Sequence, residues 1–171
     1  MAITQAICNS FKKELLDGAM SFKQTGGDTF KLALYSSTAT LNSATTNYPG
    51  DSTGGQVGNT GQYTQGGGAL VNLGTSMTVG VARCDFADRS FTGVTLTARG
   101  ALIYNTTAGA GSGTTDAVCV LDFGADKTAT SGTFTIQFPA PTSTASLLLI
   151  RMSPALVPLL RMEMLLVLVF G

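Results

Sequence analysis

Histidine is absent from this 171-residue chain, and charged side chains make up only 12% of it. Without an imidazole, general acid-base or triad chemistry would have to rest on isolated carboxylates, or on cysteines with no base beside them. A zinc site would lack its usual ligands. Asp85 with Asp88, and Asp122 with Asp126, offer too few oxygens for calcium. We therefore expect a protein that is not an enzyme and that holds no metal and no cofactor.

The few charges also cancel, since Lys and Arg number 10 and Asp and Glu number 10. No basic field exists to attract nucleic acid or an anionic membrane. The N-terminus has no continuous apolar stretch of the kind found in secretory signals. Near the other end, residues 159–170 include Arg161 and Glu163 and are shorter than the roughly 20 residues that a spanning helix needs. We expect neither nucleic acid nor membrane as a partner.

Cysteine is present three times, at Cys8, Cys84 and Cys119, with wide spacing and no CxxC motif. An odd number of dispersed cysteines does not indicate a disulfide framework. We interpret them as buried free thiols of a protein made in a reducing cytoplasm.

Strand patterns dominate what is present. Residues 92–138 are predicted to form three consecutive strands, because apolar residues recur every second position, as in Ala117, Cys119, Leu121 and Phe123. Residues 30–35 alternate in the same way, residues 69–73 and 77–81 are short strand candidates, and Phe86 is a further buried residue. The pattern predicts an all-β domain, a β-sandwich or jelly-roll-like fold.

One helix is predicted at about residues 3–17, where Ile3, Ile7, Phe11 and Leu15 recur at every fourth position. Such an amphipathic helix packs on its own sheet or docks on a partner. Between the first strand and the next, about residues 36–68 are rich in Thr, Ser, Asn and Gly. They predict a long loop or arm that is either functional or ordered only by a neighbour. A short strand near residues 62–64 is an alternative within it.

The alternation breaks at Arg99 and Gly100, which predicts a β-bulge. Glycine allows the unusual backbone there, and the extra residue re-aims the strand. Arg99 would then project toward an intramolecular Asp or toward a neighbouring subunit. A second glycine-rich stretch, at residues 109–113, lacks the helix and the Lys of a phosphate loop and predicts a hairpin tip.

Four segments together resemble a family of small structural proteins of tailed bacteriophages: MAITQAICNSFKKELLDGAM, TFKLALYSSTATL, TARGALIYN and AVCVLDFGADKTATSGTFTIQFP. The resemblance covers about residues 1–152, which we take as a single domain. It implies a β-rich virion protein present in many copies, assembled in the host cytoplasm, and it carries no catalytic meaning. The role that we favour is that of a capsid cement or decoration protein that bridges capsid subunits. The alternative is a neck, tail or tail-fibre component, including one that binds the host.

Residues 153–171 depart from the family pattern, because relatives end soon after a strand equivalent to residues 147–152. This apolar tail either folds back on the domain or inserts against a partner. The alternative is that the tail is a frameshift product with no selected role. We expect the protein to be a homo-oligomer and to contact the major capsid protein or other virion subunits. The residues proposed for these contacts are Tyr48, Gln62 and Tyr63 of the arm, Arg99, and Leu165, Val167 and Phe170 of the tail.

Overall fold

The alternating segments form strands in a computed structural model that describes residues 2–50, 54–107, 114–140, 146–152 and 160–165. These residues contain nine strands and one helix. In chain order they are β1 (Ala6–Ile7), α1 (Asn9–Leu16), β2 (Phe30–Tyr35), β3 (Gly68–Ala69), β4 (Asn72–Thr78), β5 (Val81–Phe86), β6 (Arg89–Asn105), β7 (Ala117–Ile136), β8 (Ser146–Met152) and β9 (Leu160–Leu165).

The strands make two antiparallel sheets, so the prediction of an all-β fold is confirmed. One sheet has five strands in the order β1-β7-β6-β2-β3, and the other has four in the order β4-β5-β8-β9. Whether the sheets amount to a sandwich or a jelly roll stays a prediction. Within the described part of the chain, no helix is both long and apolar enough to cross a membrane.

The long hairpin of β6 and β7 replaces the three strands predicted for residues 92–138. Its second half does not stop after Gly124, because Lys127 and Ala129 keep pairing with β6, opposite Ala98 and Leu96. The prediction of three strands is therefore wrong, because this segment forms two strands. The predicted bulge is confirmed, since the register shifts between Ala98 and Gly100. A Cβ at Gly100 would lie 2.4 Å from the carbonyl oxygen of Leu121, so only glycine fits there.

The N-terminal helix is shorter than the predicted residues 3–17, because α1 begins only at Asn9. Ile3 instead bridges to Leu41, and Ala6 and Ile7 pair with Val120 and Cys119 of β7. These residues are apolar at a helical spacing, yet their backbone groups bond to neighbouring strands. Sheet pairing that is distant in the sequence has overridden the local helical pattern.

An aromatic cluster joins the two sheets. Phe30 of β2 and Phe86 of β5 meet with ring centroids 5.4 Å apart, and Phe22 stacks on Phe30 at 4.7 Å. All three side chains are buried, which confirms the predicted burial of Phe86. Every residue of β2 except Lys31 is buried, so both faces of this strand lie in the core. The two sheets therefore share one hydrophobic core.

The arm is a loop with isolated bridges rather than regular strands, so the alternative of a short strand near residues 62–64 is wrong. Bridges join Tyr35 to Gln56 and Thr60 to Tyr63. After the arm, the strand predicted at residues 77–81 is interrupted, because Val79 and Gly80 form a tight turn between β4 and β5. Both turn residues have positive φ, at 51° and 73°.

The strand predicted at residues 147–152 is confirmed as β8, which lies beside β5. The first part of the apolar tail continues the same sheet, because β9 pairs with β8 over Leu160–Leu165. This part of the tail folds back on the domain. Leu165 is the last residue of β9, opposite Ser146. Val167 and Phe170 lie outside the described residues.

Candidate interaction surfaces

The three cysteines are buried and none of them is in a disulfide, which confirms that part of the sequence prediction. Burial raises the pKa of Cys8 and of Cys84 to about 12, and it raises the pKa of Cys119 well above its ordinary value. The nucleophilic form of cysteine is the thiolate, so these groups are inert at neutral pH.

Thiol accessibility provides a direct test of this burial. We expect the folded protein to react with a thiol-specific disulfide reagent at least about tenfold more slowly than the unfolded protein at the same pH, because each thiol is buried and protonated. The measurement is the rate of absorbance change with and without denaturant. Equal rates in the two conditions would contradict the buried placement.

Arg99 is paired within the chain. Its Nε lies 3.0 Å from Oδ1 of Asp122, and both side chains are partly buried. The same carboxylate oxygen accepts a hydrogen bond of 2.9 Å from the backbone N–H of Gly124. This ion pair links the bulge in β6 to the neighbouring strand β7. It favours the predicted intramolecular partner of Arg99 over contact with a neighbouring subunit. In the described part of the chain, no group of three or more His, Cys, Asp or Glu residues could hold a metal ion.

Glu14 is a buried carboxylate on the inner side of α1, with 9% of its surface exposed. One of its oxygens, Oε2, has no hydrogen-bond partner among the described residues. Desolvation raises the pKa of Glu14, and the nearby charge of Asp116 raises it further. The folded protein therefore favours the protonated form of this side chain more than the unfolded chain does.

This raised pKa predicts a pH dependence of stability. Its stabilising contribution is complete below the unfolded-state pKa of about 4.3 and is lost as pH rises through the folded-state value. Glu14→Gln should therefore remove a decline in unfolding free energy above pH 4, and should be at least as stable as the parent at pH 7. Urea denaturation at several pH values measures this, with Glu14→Asp as the ionisable control. Parallel pH profiles for the parent and Glu14→Gln would contradict it.

Tyr63 is fully buried, so the expectation that it lies free for a partner is wrong. Its ring makes a T-shaped contact with the ring of Phe91 at a centroid distance of 5.0 Å. The backbone N–H of Leu34 donates a hydrogen bond of 2.8 Å to the Tyr63 hydroxyl. Burial raises the pKa of Tyr63. The side chain is part of the core and fastens the arm to β2 and β6.

Tyr48 is half-buried and also packs inside the chain. Its ring stacks on Tyr104 with centroids 4.5 Å apart, and Gln56 donates a hydrogen bond to its hydroxyl. Tyr104 in turn donates to the carbonyl oxygen of Gly66 at 2.7 Å. These contacts tie Tyr48 and Gly66 of the arm to β6. Low internal packing, the reason for proposing Tyr48 and Tyr63 as contact residues, does not hold in this fold.

Gln62 differs from both tyrosines because its side chain is exposed. Its backbone N–H donates to the carbonyl oxygen of Thr92 at 3.1 Å, which fixes the loop against β6. The structure thus presents Gln62 to solvent on a supported loop. Of the three arm residues, it is the one that fits the predicted contact role.

A larger exposed surface was missed by the sequence analysis, along the edge strand β4 and its flanks. Large apolar side chains are exposed there to 47–88%, at Val71, Leu73, Met77 and Val79. No charged residue occurs between Asp51 and Arg83, so the second half of the arm and β4 form one uncharged segment. That gap in the charge pattern is the signal that could have identified this surface. Exposed apolar groups grouped in this way mark interaction sites.

Comparison with known proteins gives no further guide to the role of these surfaces. No protein-family model, no curated protein and no solved structure matches the chain.

Proposed function

We propose that this chain is a structural protein of a tailed-bacteriophage particle, acting as a capsid cement or decoration protein by binding and not by catalysis. The observation that carries the proposal is the uncharged segment after Asp51, which supplies both a supported loop and an exposed apolar edge strand. The resemblance of residues 1–152 to phage structural proteins supports it independently. Buried thiols agree with assembly in the host cytoplasm, the virion being the final location.

The mechanism would be multivalent. Each copy presents a small surface without charge, which alone binds weakly because a stable interface buries about 1,600 Å². Many copies on a symmetric lattice add avidity, since each further contact is made at high effective concentration. The major capsid protein or other virion subunits would be the partners, and the exposed loop at Gln62 would be one contact.

The experiment must keep the core intact. Deleting the arm would remove the buried Tyr63, and loss of binding would then reflect unfolding. A point variant avoids this, because Gln62→Lys adds charge to an exposed side chain. Thr130→Lys, on the exposed part of β7, is the matched control.

Purified protein would be mixed with capsids or with tails, both from particles assembled without this chain, and sedimented. We expect saturable binding to capsids, weakened at least about tenfold by Gln62→Lys and unchanged by Thr130→Lys, because desolvating an unpaired charge is costly. Binding to tails alone would replace the cement assignment by the neck, tail or fibre alternative. Binding to neither would contradict a virion role.

A further inference from the structure

The edge strand β4 is open over its second half. Its first half is flanked by the segment before β2, because Asn72 donates to the carbonyl oxygen of Lys23 and Gly74 lies against Gln24. On the side away from β5, residues 75–79 have no strand beside them among the described residues. Natural edge strands are blocked by charged side chains or proline, and this one has neither between Asp51 and Arg83. The exposed edge is available for strand pairing.

The turn that follows β4 has two unfavourable features, a strained backbone and an exposed apolar side chain, and both are at Val79. Val79 has a φ of 51°, a region that β-branched residues strongly disfavour and that two-residue hairpin turns normally fill with Asn, Asp or Gly. Its side chain is also 88% exposed. Both the backbone strain and the exposure of Val79 are explained if this side chain becomes buried in a contact with another molecule at the open edge.

The hydrogen-bonding direction of the edge follows from the hairpin. Thr78 and Val81 flank the two-residue turn and form its closing pair. Because antiparallel bonding alternates along a strand, the N–H and C=O groups of Met77 and Thr75 point away from β5. Met77 thus presents both backbone groups to the open side, and its side chain is exposed on one face of the sheet.

The two faces of this edge are equally defined. Thr75 and Met77 lie on the face of Cys84 and Ala82, their partners on β5. Ser76 and Thr78 lie on the opposite face, where both hydroxyls accept hydrogen bonds from Arg83 at 2.9 and 2.5 Å. Any strand that adds here must match the apolar Met77 and Thr75 on one face and a row of hydroxyls on the other.

We propose that the partner of this edge is β4 of a second copy of the chain, paired antiparallel about a two-fold axis at Met77. This register places Met77 opposite itself on one face and Ser76 opposite Thr78 on the other, and it brings Val79, in the turn at the end of β4, beside Thr75 of the second copy. Met77 then packs on its own copy, Val79 meets the methyl-bearing side chain of Thr75, the hydroxyls of Ser76 and Thr78 face each other, and the outward backbone groups of Met77 bond across the axis. The contact is small, so the pairing is weak and concentration-dependent. It does not rest on the virion role.

Disulfide trapping tests the register. Directly opposed residues that exchange hydrogen bonds have Cα atoms about 5.5 Å apart, within the range that a disulfide spans. Met77→Cys introduces an accessible thiol into a protein whose own three are buried. We expect it to form a covalent dimer under mild oxidation at least tenfold faster than Val71→Cys or Thr130→Cys, which are exposed but away from the axis. Equal rates for the three variants would overturn the proposal.

A second variant separates folding from association. Val79→Asn suits the positive φ of the turn, so it should raise the midpoint of thermal unfolding. It also removes apolar surface from the pairing, so sedimentation at several concentrations should show self-association weakened at least about tenfold. Val71→Asn, which changes the same residue type outside the pairing, should associate as the parent does. A parent chain that stays monomeric, or Val79→Asn that associates as the parent does, would overturn the proposal.

Discussion

Replacing Tyr63 with alanine is expected to lower the free energy of unfolding by about 3–5 kcal/mol, the usual loss for a buried aromatic residue. The side chain has no exposed surface, packs against Phe91 and receives the backbone N–H of Leu34 on its hydroxyl. Its removal leaves a cavity between the arm and the long hairpin, and an unpaired backbone donor on β2. Urea denaturation followed by circular dichroism measures the loss.

Two controls divide this loss into its parts. Tyr63→Phe keeps the ring and leaves the Leu34 N–H unpaired, so it should cost about 1–3 kcal/mol. Gln62→Ala, at the exposed neighbouring position, should change stability by less than about 0.5 kcal/mol. A loss below 1 kcal/mol for Tyr63→Ala would show that the arm is not fastened to the domain, as the sequence alone suggested.

Replacing Phe86 with alanine is expected to cost a similar amount, about 3–5 kcal/mol. Phe86 lies on β5 of the four-stranded sheet and contacts Phe30 of the other sheet, together with Phe22 and Phe138. It therefore joins the two sheets across the core. The same denaturation measurement applies, with Phe86→Leu as the milder control and an expected loss of about 1 kcal/mol.

The shape of the transition carries additional information for the Phe86 variants. Because the two sheets share one core, Phe86→Ala should still unfold in a single cooperative step, with its midpoint at lower urea. Two separate transitions, or a loss near zero, would show that the four-stranded sheet is stabilised without this contact.

The comparison of Phe86 with Tyr63 shows what a sequence pattern can and cannot predict. Phe86 stands in a strand whose apolar residues alternate, so its burial follows from local periodicity. Tyr63 stands among Gly, Thr and Gln, and its burial depends on Leu34 and Phe91, which are distant in the sequence. Local composition contains no information on such contacts. The all-β class was predictable, and the packing of the arm was not.

The helix boundary was mispredicted for the same physical reason. Ile3 and Ile7 have a helical spacing with Phe11, but β7 offers backbone partners to the residues before α1. Pairing with a strand more than a hundred residues away cannot be inferred from a local period of four. The bulge at Arg99, by contrast, was predictable because the change of alternation and the glycine lie within one strand.

The candidate surfaces were predicted only in part. Gln62 is exposed as expected, and Arg99 has an intramolecular carboxylate partner, which is one of the two alternatives that the sequence predicted. The exposed edge of β4 was not foreseen, because its open side depends on which strand lies at the edge of the sheet. Sequence order does not specify that arrangement, although the absence of charge between Asp51 and Arg83 could have drawn attention to it.

The central claim, a structural role in the capsid of a phage particle, is tested most directly by counting this chain in purified virions. Quantitative mass spectrometry would be applied to intact particles and to capsids separated from tails. We predict hundreds of copies per particle, travelling with the capsid. A few to a few tens of copies travelling with the tail would contradict the cement assignment, and absence from purified particles would contradict the virion role altogether.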